Sequence, residues 1–322
     1  MPAKRKRRFK PLSLVEFQAR FATEEDCARF LFEKRWPHGW ICPRCGADKY
    51  YPIKRRKLFE CARCQYQASV IAGTVMQGTR TPLRLWFLAI FLTGTDKRGL
   101  SSVGLAGRLG ISQKRAWYIL HKLRKAMSER NGRYKLDGRV ELDESFFGAP
   151  KEGGSRRRCA VKHRVLAGLS FTPEGNPLHL RLQVLPGLGR EHLAPAIERM
   201  VASGAMVRTN GLRSYLMLGE RGYLHERVIA ASRTETSEEL SWIRTIVSNA
   251  MALIAGTHHG LGRDGKHLQA YLDEFCYRFS RRHRPDTIFE RCVSAVAACP
   301  VWTYRDITGR KRVRKKAKPK AA

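Results

Sequence analysis

The sequence predicts a multidomain α+β protein built from a small metal-bound ribbon, a helical segment and a mixed α/β domain. Three observations predict it. Four cysteines fall in two CxxC pairs between residues 42 and 64. Residues 81–127 carry apolar positions at helical spacing without a strand-like run. From residue 139 onward, short apolar strands separated by turn residues replace that pattern.

Composition narrows the class of partner. The 322 residues contain 62 Lys+Arg against 28 Asp+Glu, a formal net charge of +34. Residues 1–10 and 310–320 form basic tails, and about +20 remains once their charges are set aside, so the body is basic as well. So one-sided a balance attracts a polyanion, and nucleic acid is the expected partner. The longest apolar run, LWFLAIFL at 85–92, is far short of the roughly 20 residues a membrane span needs, and no signal-peptide pattern opens the chain. Nine cysteines, four of them at metal-site spacing, fit a reducing compartment. A cytoplasmic, nucleoid-associated protein with no membrane contact is expected.

After the basic tail at 1–12, residues 13–36 read as two short helices, with Phe17, Phe21, Phe30 and Leu31 inward and Cys27 a small core residue. Cys42-x2-Cys45, fifteen residues and then Cys61-x2-Cys64 is the spacing of a tetrathiolate zinc site. Each CxxC makes a knuckle presenting two thiolates, and two knuckles complete a tetrahedron around structural Zn2+. Arg55 and Arg56, in a basic run between the knuckles, are placed to touch phosphates. These residues make a unit spanning 13–78.

A helical unit at 79–130 follows. PLRLWFLAIFLTG is too apolar to be other than a buried helix. SSVGLAGRLGISQKRAWYILHKLRKAM then has the form of a helix-turn-helix: a helix over 102–109, Gly110 to end it and Ser112 to cap the next. Trp117, Leu120, Leu123 and Met127 share one face of the second helix. Gln113, Lys114 and Arg115 open it, where recognition residues meet DNA base edges.

The unit expected over 135–300 begins with strands RVELDESFFG, RVLAGLSF and LHLRLQVL, then helix EHLAPAIERMVASG and strand AMVRT, which ends at Asn210. Three strands, a helix and a strand, with Asp143 in the first strand, is the order of an RNase H-like domain. Helices are expected at 238–255 and 267–282, the second with Leu268, Tyr271, Leu272, Phe275 and Phe279 inward. A basic tail over 305–322 closes the chain.

Together the zinc ribbon, HKLRKAM, VELDES, TNGLRSY, SNAMALIAGTHHG and KHLQAYLDEFCYRFSRR resemble, in that order, the DDE transposases of bacterial insertion sequences. The subgroup is the one with an N-terminal zinc ribbon, which often has Asn as third catalytic residue. The resemblance implies metal-dependent DNA cleavage and strand transfer with Mg2+ or Mn2+, double-stranded DNA as partner and a homo-oligomer bridging element ends. Carried over residue by residue, Asp143 matches the first catalytic Asp, Asn210 falls where the second Asp belongs, and Asn249 matches the third position. These three are the expected magnesium ligands. Met251 stands where the family shows a basic residue, and Ser280 replaces an Asn.

In-line displacement at phosphorus uses two dications about 4 Å apart, which need hard oxygen ligands and negative charge. Asn210 brings no formal charge, so catalysis weakened by that substitution is expected. Glu144 should point away from the Asp143 face, because side chains alternate along a strand. Glu141 shares the Asp143 face about 7 Å further along. The second reading is a catalytically silent DNA-binding descendant, a repressor or accessory subunit.

Overall fold

The computed structural model describes residues 9–96, 98–148, 162–228, 240–258 and 265–309. Residues 1–8 and 310–322 of the two basic tails lie outside the described residues, as do His259 and Asp264.

Two short helices, α1 (Leu14–Arg20) and α2 (Glu24–Arg35), start the fold. Each opens with a capping box: Ser13 with Glu16, and Thr23 with Asp26. The reciprocal side chain–backbone bonds satisfy amide groups that the first turn leaves unpaired. The ribbon follows as a three-stranded antiparallel sheet of β1 (Tyr50–Ile53), β2 (Leu58–Cys61) and β3 (Gln67–Ala68).

Helix α3 (Leu83–Thr95) buries Trp86, Phe87, Ala89, Ile90 and Phe91. The short α4 (Ser102–Leu109) ends at Gly110, whose φ of 62° is a left-handed turn that glycine adopts at no steric cost. Ser112 then caps α5 (Gln113–Gly132). Helices α4 and α5 thus follow one another across the short Gly110–Ser112 connection.

Beyond it lies a five-stranded sheet of β4 (Arg139–Phe147), β5 (His163–Phe171), β6 (Pro177–Leu185), β7 (Met206–Thr209) and β8 (Leu224–Arg227). The spatial order is β6-β5-β4-β7-β8. Strands β4, β7 and β8 run parallel, while β5 and β6 are antiparallel to their neighbours. Helix α6 (Arg190–Met200) connects β6 to β7, and the short α7 (Met217–Glu220) precedes β8.

One face of the sheet, with Val140, Leu142 and Leu166, packs on α6, Tyr215 and Leu218. The other face, with Val165, Ala167, Leu180 and Leu182, packs on α8 (Ser241–His258) and α9 (Leu268–Phe279). The outcome on α9 is broader than one apolar stripe: Leu268, Leu272 and Cys276 join the sheet core, while Tyr277 joins the helical core. Tyr271, Phe275 and Phe279 are only half-buried. Glu274 forms a buried ion pair with Arg124 of α5 at 2.8 Å, tying the two layers together.

Packing redraws the expected division of the chain. Phe17, Leu31, Val75, Trp86, Leu120 and Phe289 belong to one hydrophobic cluster. The 13–78 and 79–130 segments thus share a core rather than standing as separate units. Helix α10 (Ile288–Ala298), in a stretch of the 135–300 unit where no helix is expected from the sequence, packs into that same core. A final short helix, α11 (Tyr304–Thr308), lies where the C-terminal basic tail was expected. No helix among the described residues is long and apolar enough to cross a membrane.

Candidate functional site

The zinc-type centre is built by two matching knuckles. Cys42 N–H donates to Ala47 O and Gly46 N–H to Cys42 O; Cys61 N–H donates to Tyr66 O and Gln65 N–H to Cys61 O. Gly46 and Gln65, the residues after the second cysteine of each pair, have positive φ. The four sulfur atoms lie within 4.8 Å of one another. Cys42 and Cys64 Sγ are 3.6 Å apart, and Cys45 and Cys61 Sγ 3.5 Å. Zinc–thiolate bonds of about 2.3 Å in a tetrahedron require sulfur separations of about 3.8 Å. The four cysteines fit structural Zn2+.

Around Asp143 the sheet brings distant residues together. Alternation along β4 sends Val140 and Leu142 to the α6 face, so Glu141 and Asp143 face α8. Glu144 takes the opposite face, as its place in the strand predicts, and Tyr215 Oη donates to its Oε2 at 3.1 Å. Asn210 lies one residue past the last paired position, Leu142↔Thr209, where β7 has ended. Its side chain is therefore released from the alternation and reaches both carboxylates. Nδ2 donates to Asp143 Oδ1 at 3.0 Å and to Glu144 Oε1 at 2.8 Å. Oδ1 accepts from Leu212 N–H at 3.0 Å, which fixes the amide in this orientation. Glu144 is thus tied to Asp143 through a shared donor, a link that alternation alone does not foresee.

Arg244 completes the cluster. Its Nε donates to Asp143 Oδ2 at 3.3 Å, and the ion pair is largely shielded on the carboxylate side, with 11% of the Asp143 side chain exposed. All four oxygens of the two carboxylates are held: by Asn210 twice, by Arg244 and by Tyr215. Burial raises the Asp143 pKa above the usual value and Glu144 adds to it, while Arg244 and Asn210 pull the other way. Burial and the two carboxylates push the Tyr215 phenol well above its ordinary range, so it stays a donor.

Asn249 is not part of this cluster. It is exposed on α8, five residues after Arg244 and so about 140° round the helix. The apolar stripe of Ile243, Val247, Ala250 and Ile254 separates the two. The α8 side chain that reaches Asp143 is that of Arg244. Sequence reasoning missed Arg244; the available signal was a charged residue flanking that stripe on the side opposite Asn249. Glu141 is buried and ion-paired with Arg139 and Arg208, each at 3.6 Å. Met251 packs partly buried against the sheet core, and His258 stacks on Tyr271 at 3.8 Å.

The donor set argues against divalent ions at this pocket. Hard cations need oxygen ligands carrying negative charge. Here Asn210 turns N–H groups, not its oxygen, toward Asp143 and Glu144, and a guanidinium sits on Asp143. At about 5 Å a dication and that guanidinium repel by about 7 kcal/mol at an effective dielectric of 20. The residues as arranged do not fit the expected pair of Mg2+ or Mn2+ ions.

The expected DNA-contacting residues are all exposed. Gln113, Lys114 and Arg115 form the first turn of α5, with Gln113 Nε2 donating to Ser102 Oγ at 3.0 Å. The middle of α5 is largely buried, including His121, Lys122 and Arg124, so its opening turn is the part exposed for DNA. Arg55 and Arg56 sit on an exposed 3-10 turn (Lys54–Arg56) at the tip of the β1–β2 hairpin.

Comparison with known proteins bears on both sites. Residues 22–67 match a transposase zinc-ribbon domain, and residues 135–280 match an ISXO2-like transposase domain. An uncharacterized protein in transposable element ISH50 of Halobacterium salinarum is 27% identical over 219 residues, 62% of this chain and 71% of that protein. A chain of a pre-cleavage Mos1 transpososome crystal structure is similar at 12% identity, covering 62% of this chain and 75% of that one. Its TM-score of 0.23 is too low to carry an argument.

Proposed function

The chain belongs to the insertion-sequence transposases with an N-terminal zinc ribbon, and we propose that it is a DNA transposase whose end-binding is retained and whose strand-cleaving pocket is disabled. In this reading the ribbon tip with Arg55 and Arg56, and the helix-turn-helix with Gln113, Lys114 and Arg115, grip double-stranded DNA at the element's ends. Two copies would bridge two ends. The β4–β8 sheet supports an RNase H-like assignment, because the first strand is central and β5 alone runs against the other four.

One observation carries the disabled pocket: Asp143 accepts from an amide and a guanidinium where the family's chemistry needs further carboxylates. Asp143, Asn210 and Arg244 occupy the catalytic corner, and the protein's own donors neutralise it. No chemical step is assigned to it as it stands.

The test compares the wild-type protein with Asn210→Asp/Arg244→Glu on duplexes bearing the element's ends, in Mn2+. Wild type is expected to bind the duplexes and give no strand transfer, and the double variant to gain transfer. Transfer by the wild type at the rate of the double variant refutes the disabled pocket. Failure of the wild type to prefer end-bearing duplexes refutes end recognition.

A further inference from the structure

A cavity of about 830 Å3 lies where α2, the end of α5 and α10 meet the sheet. It opens beyond the start of β4, and that strand end is itself about 13 Å from Asp143. It is a different place from the Asp143 cluster, and the function proposed above makes no use of it. Its volume is in the range of small-molecule sites, which run from about 300 to 1,000 Å3.

Its lining is cationic. Lys34, Arg130, Lys135, Arg181, Arg281 and Arg291 face it, against the carboxylates of Asp137 and Glu290. Glu290 is already taken by Lys34 at 2.8 Å and by Arg20 at 2.9 Å. Arg130, Lys135, Arg281 and Arg291 make no salt bridge among the described residues, while Arg181 lies near the Asp273 carboxylate, so the wall keeps an excess of positive charge.

Two buried side chains distinguish this cavity from a merely basic surface. Arg281 is 9% exposed and held in place by Asn131 Oδ1 at 2.9 Å, Tyr277 O at 3.0 Å and the Tyr277 ring at 3.5 Å. Each of these partners is neutral. A buried cation without a counter-charge is costly, and burial accordingly lowers its pKa. Asn131 is 8% exposed, and its Nδ2 has no acceptor among the described residues. A buried donor left unpaired costs about 1–3 kcal/mol. An anion accepting from Asn131 Nδ2 beside Arg281 would answer both. Leu136, Leu178 and the exposed ring of Tyr134 line the same cavity and offer apolar surface next to the charge.

We propose that this cavity binds a phosphate-bearing nucleotide, with the phosphate on Asn131 and Arg281 and the base against the apolar wall. The ligand is either a free nucleotide or the terminal nucleotide of a DNA strand, since both present the same phosphate and base.

The experiment uses the full chain and isothermal titration calorimetry with deoxyadenosine 5′-monophosphate, with deoxyadenosine, and with a short single-stranded oligonucleotide carrying a 5′-phosphate. The monophosphate is expected to bind and the nucleoside not. Asn131→Asp preserves the acceptor for Arg281 but replaces the open donor by a charged oxygen; it should weaken the monophosphate tenfold or more. Arg181→Gln/Lys135→Gln, changes outside the buried core, should also weaken it while leaving the melting temperature and duplex binding unchanged. If the oligonucleotide competes with the monophosphate, the site takes a strand end; if it does not, the ligand is free nucleotide. Equal affinity in wild type and the Arg181→Gln/Lys135→Gln variant, or equal binding of nucleoside and nucleotide, overturns the proposal. Because duplex binding is read separately, its loss would count against the proposed function and not against this site.

Discussion

Restoring the missing acid at position 210 should destabilise the protein, and by a predictable amount. In Asn210→Asp an oxygen replaces the nitrogen that now lies 3.0 Å from Asp143 Oδ1 and 2.8 Å from Glu144 Oε1. Two carboxylates about 3 Å apart repel by roughly 5.5 kcal/mol at an effective dielectric of 20, and the new side chain would face two of them. The cheaper course is to take up a proton. Protonating an ordinary Asp at pH 7 costs about 4 kcal/mol, at 1.36 kcal/mol per pKa unit. That sets the expected loss at pH 7 near 4 kcal/mol, or on the order of 10 °C in melting temperature for a chain of this size.

Acidification relieves the cost, because the folded variant binds a proton that the unfolded chain does not. At pH 5 protonation costs only about 1.5 kcal/mol, so most of the difference from wild type should disappear. The assay is differential scanning calorimetry of both proteins at pH 5 and pH 7 in chelator. An equal melting temperature at pH 7, or a deficit that stays the same at pH 5, would show that the Asn210 amide does not bridge the two carboxylates.

Four other outcomes follow from the same geometry. Arg244→Met removes a group that lowers the Asp143 pKa, so the pKa should rise further above 3.8; the stability deficit should grow as pH increases through that raised value and shrink below it, as read by melting curves across pH. His121, buried beside Arg124 and His267, has its pKa drawn down to about 2, chiefly by desolvation. The unfolded chain binds that proton below pH 6.5 and the fold does not, so wild-type stability should fall by about 1.4 kcal/mol per unit below pH 6.5 from this group, and His121→Phe should flatten that slope. Cys61→Ser should lower bound zinc measured by atomic absorption, unfold the ribbon and abolish DNA binding; full zinc content would refute the four-cysteine centre. Lys114→Ala and Arg56→Ala should each weaken duplex binding across sequences and reduce the salt dependence by about one counterion, measured by anisotropy titrations at several salt concentrations.

How much was legible in the sequence depended on whether the signal was local. The knuckles, the Ser112 cap, the Gly110 stop and the strands of the sheet announce themselves within a few residues, and the structure has them. Strand β8 did not: Leu224 and Arg227 are exposed and the strand is only four residues long, so no apolar alternation marks it. Helix α10 was missed because its apolar residues fill a core contributed by α2, α3 and α5, and a single sequence does not show that convergence. At the site, Asp143 and Asn210 could be paired from motif order, since β4 and β7 are adjacent parallel strands. The motif points to Asn249, which is exposed, while the α8 side chain that contacts Asp143 is that of Arg244. The contact from Arg244 to Asp143 spans 101 residues and leaves no local trace.

Asn210 and Arg244 answer the cluster together. A pocket lined with three acids is stable when cations neutralise it, and without them it carries several kcal/mol of repulsion per close pair. Asn210 removes one charge and supplies two donors; Arg244 brings a positive charge to the remaining free oxygen of Asp143. Either one alone would leave part of the cluster unanswered: an amide without the guanidinium leaves the buried Asp143 and the half-buried Glu144 with no counter-charge, and a guanidinium without the amide leaves Glu144 short of a donor. Together they match four carboxylate oxygens to four donor contacts, Tyr215 supplying the last. The Asp143 corner is a closed hydrogen-bond network held by the fold's own side chains, which a metal ion would have to displace.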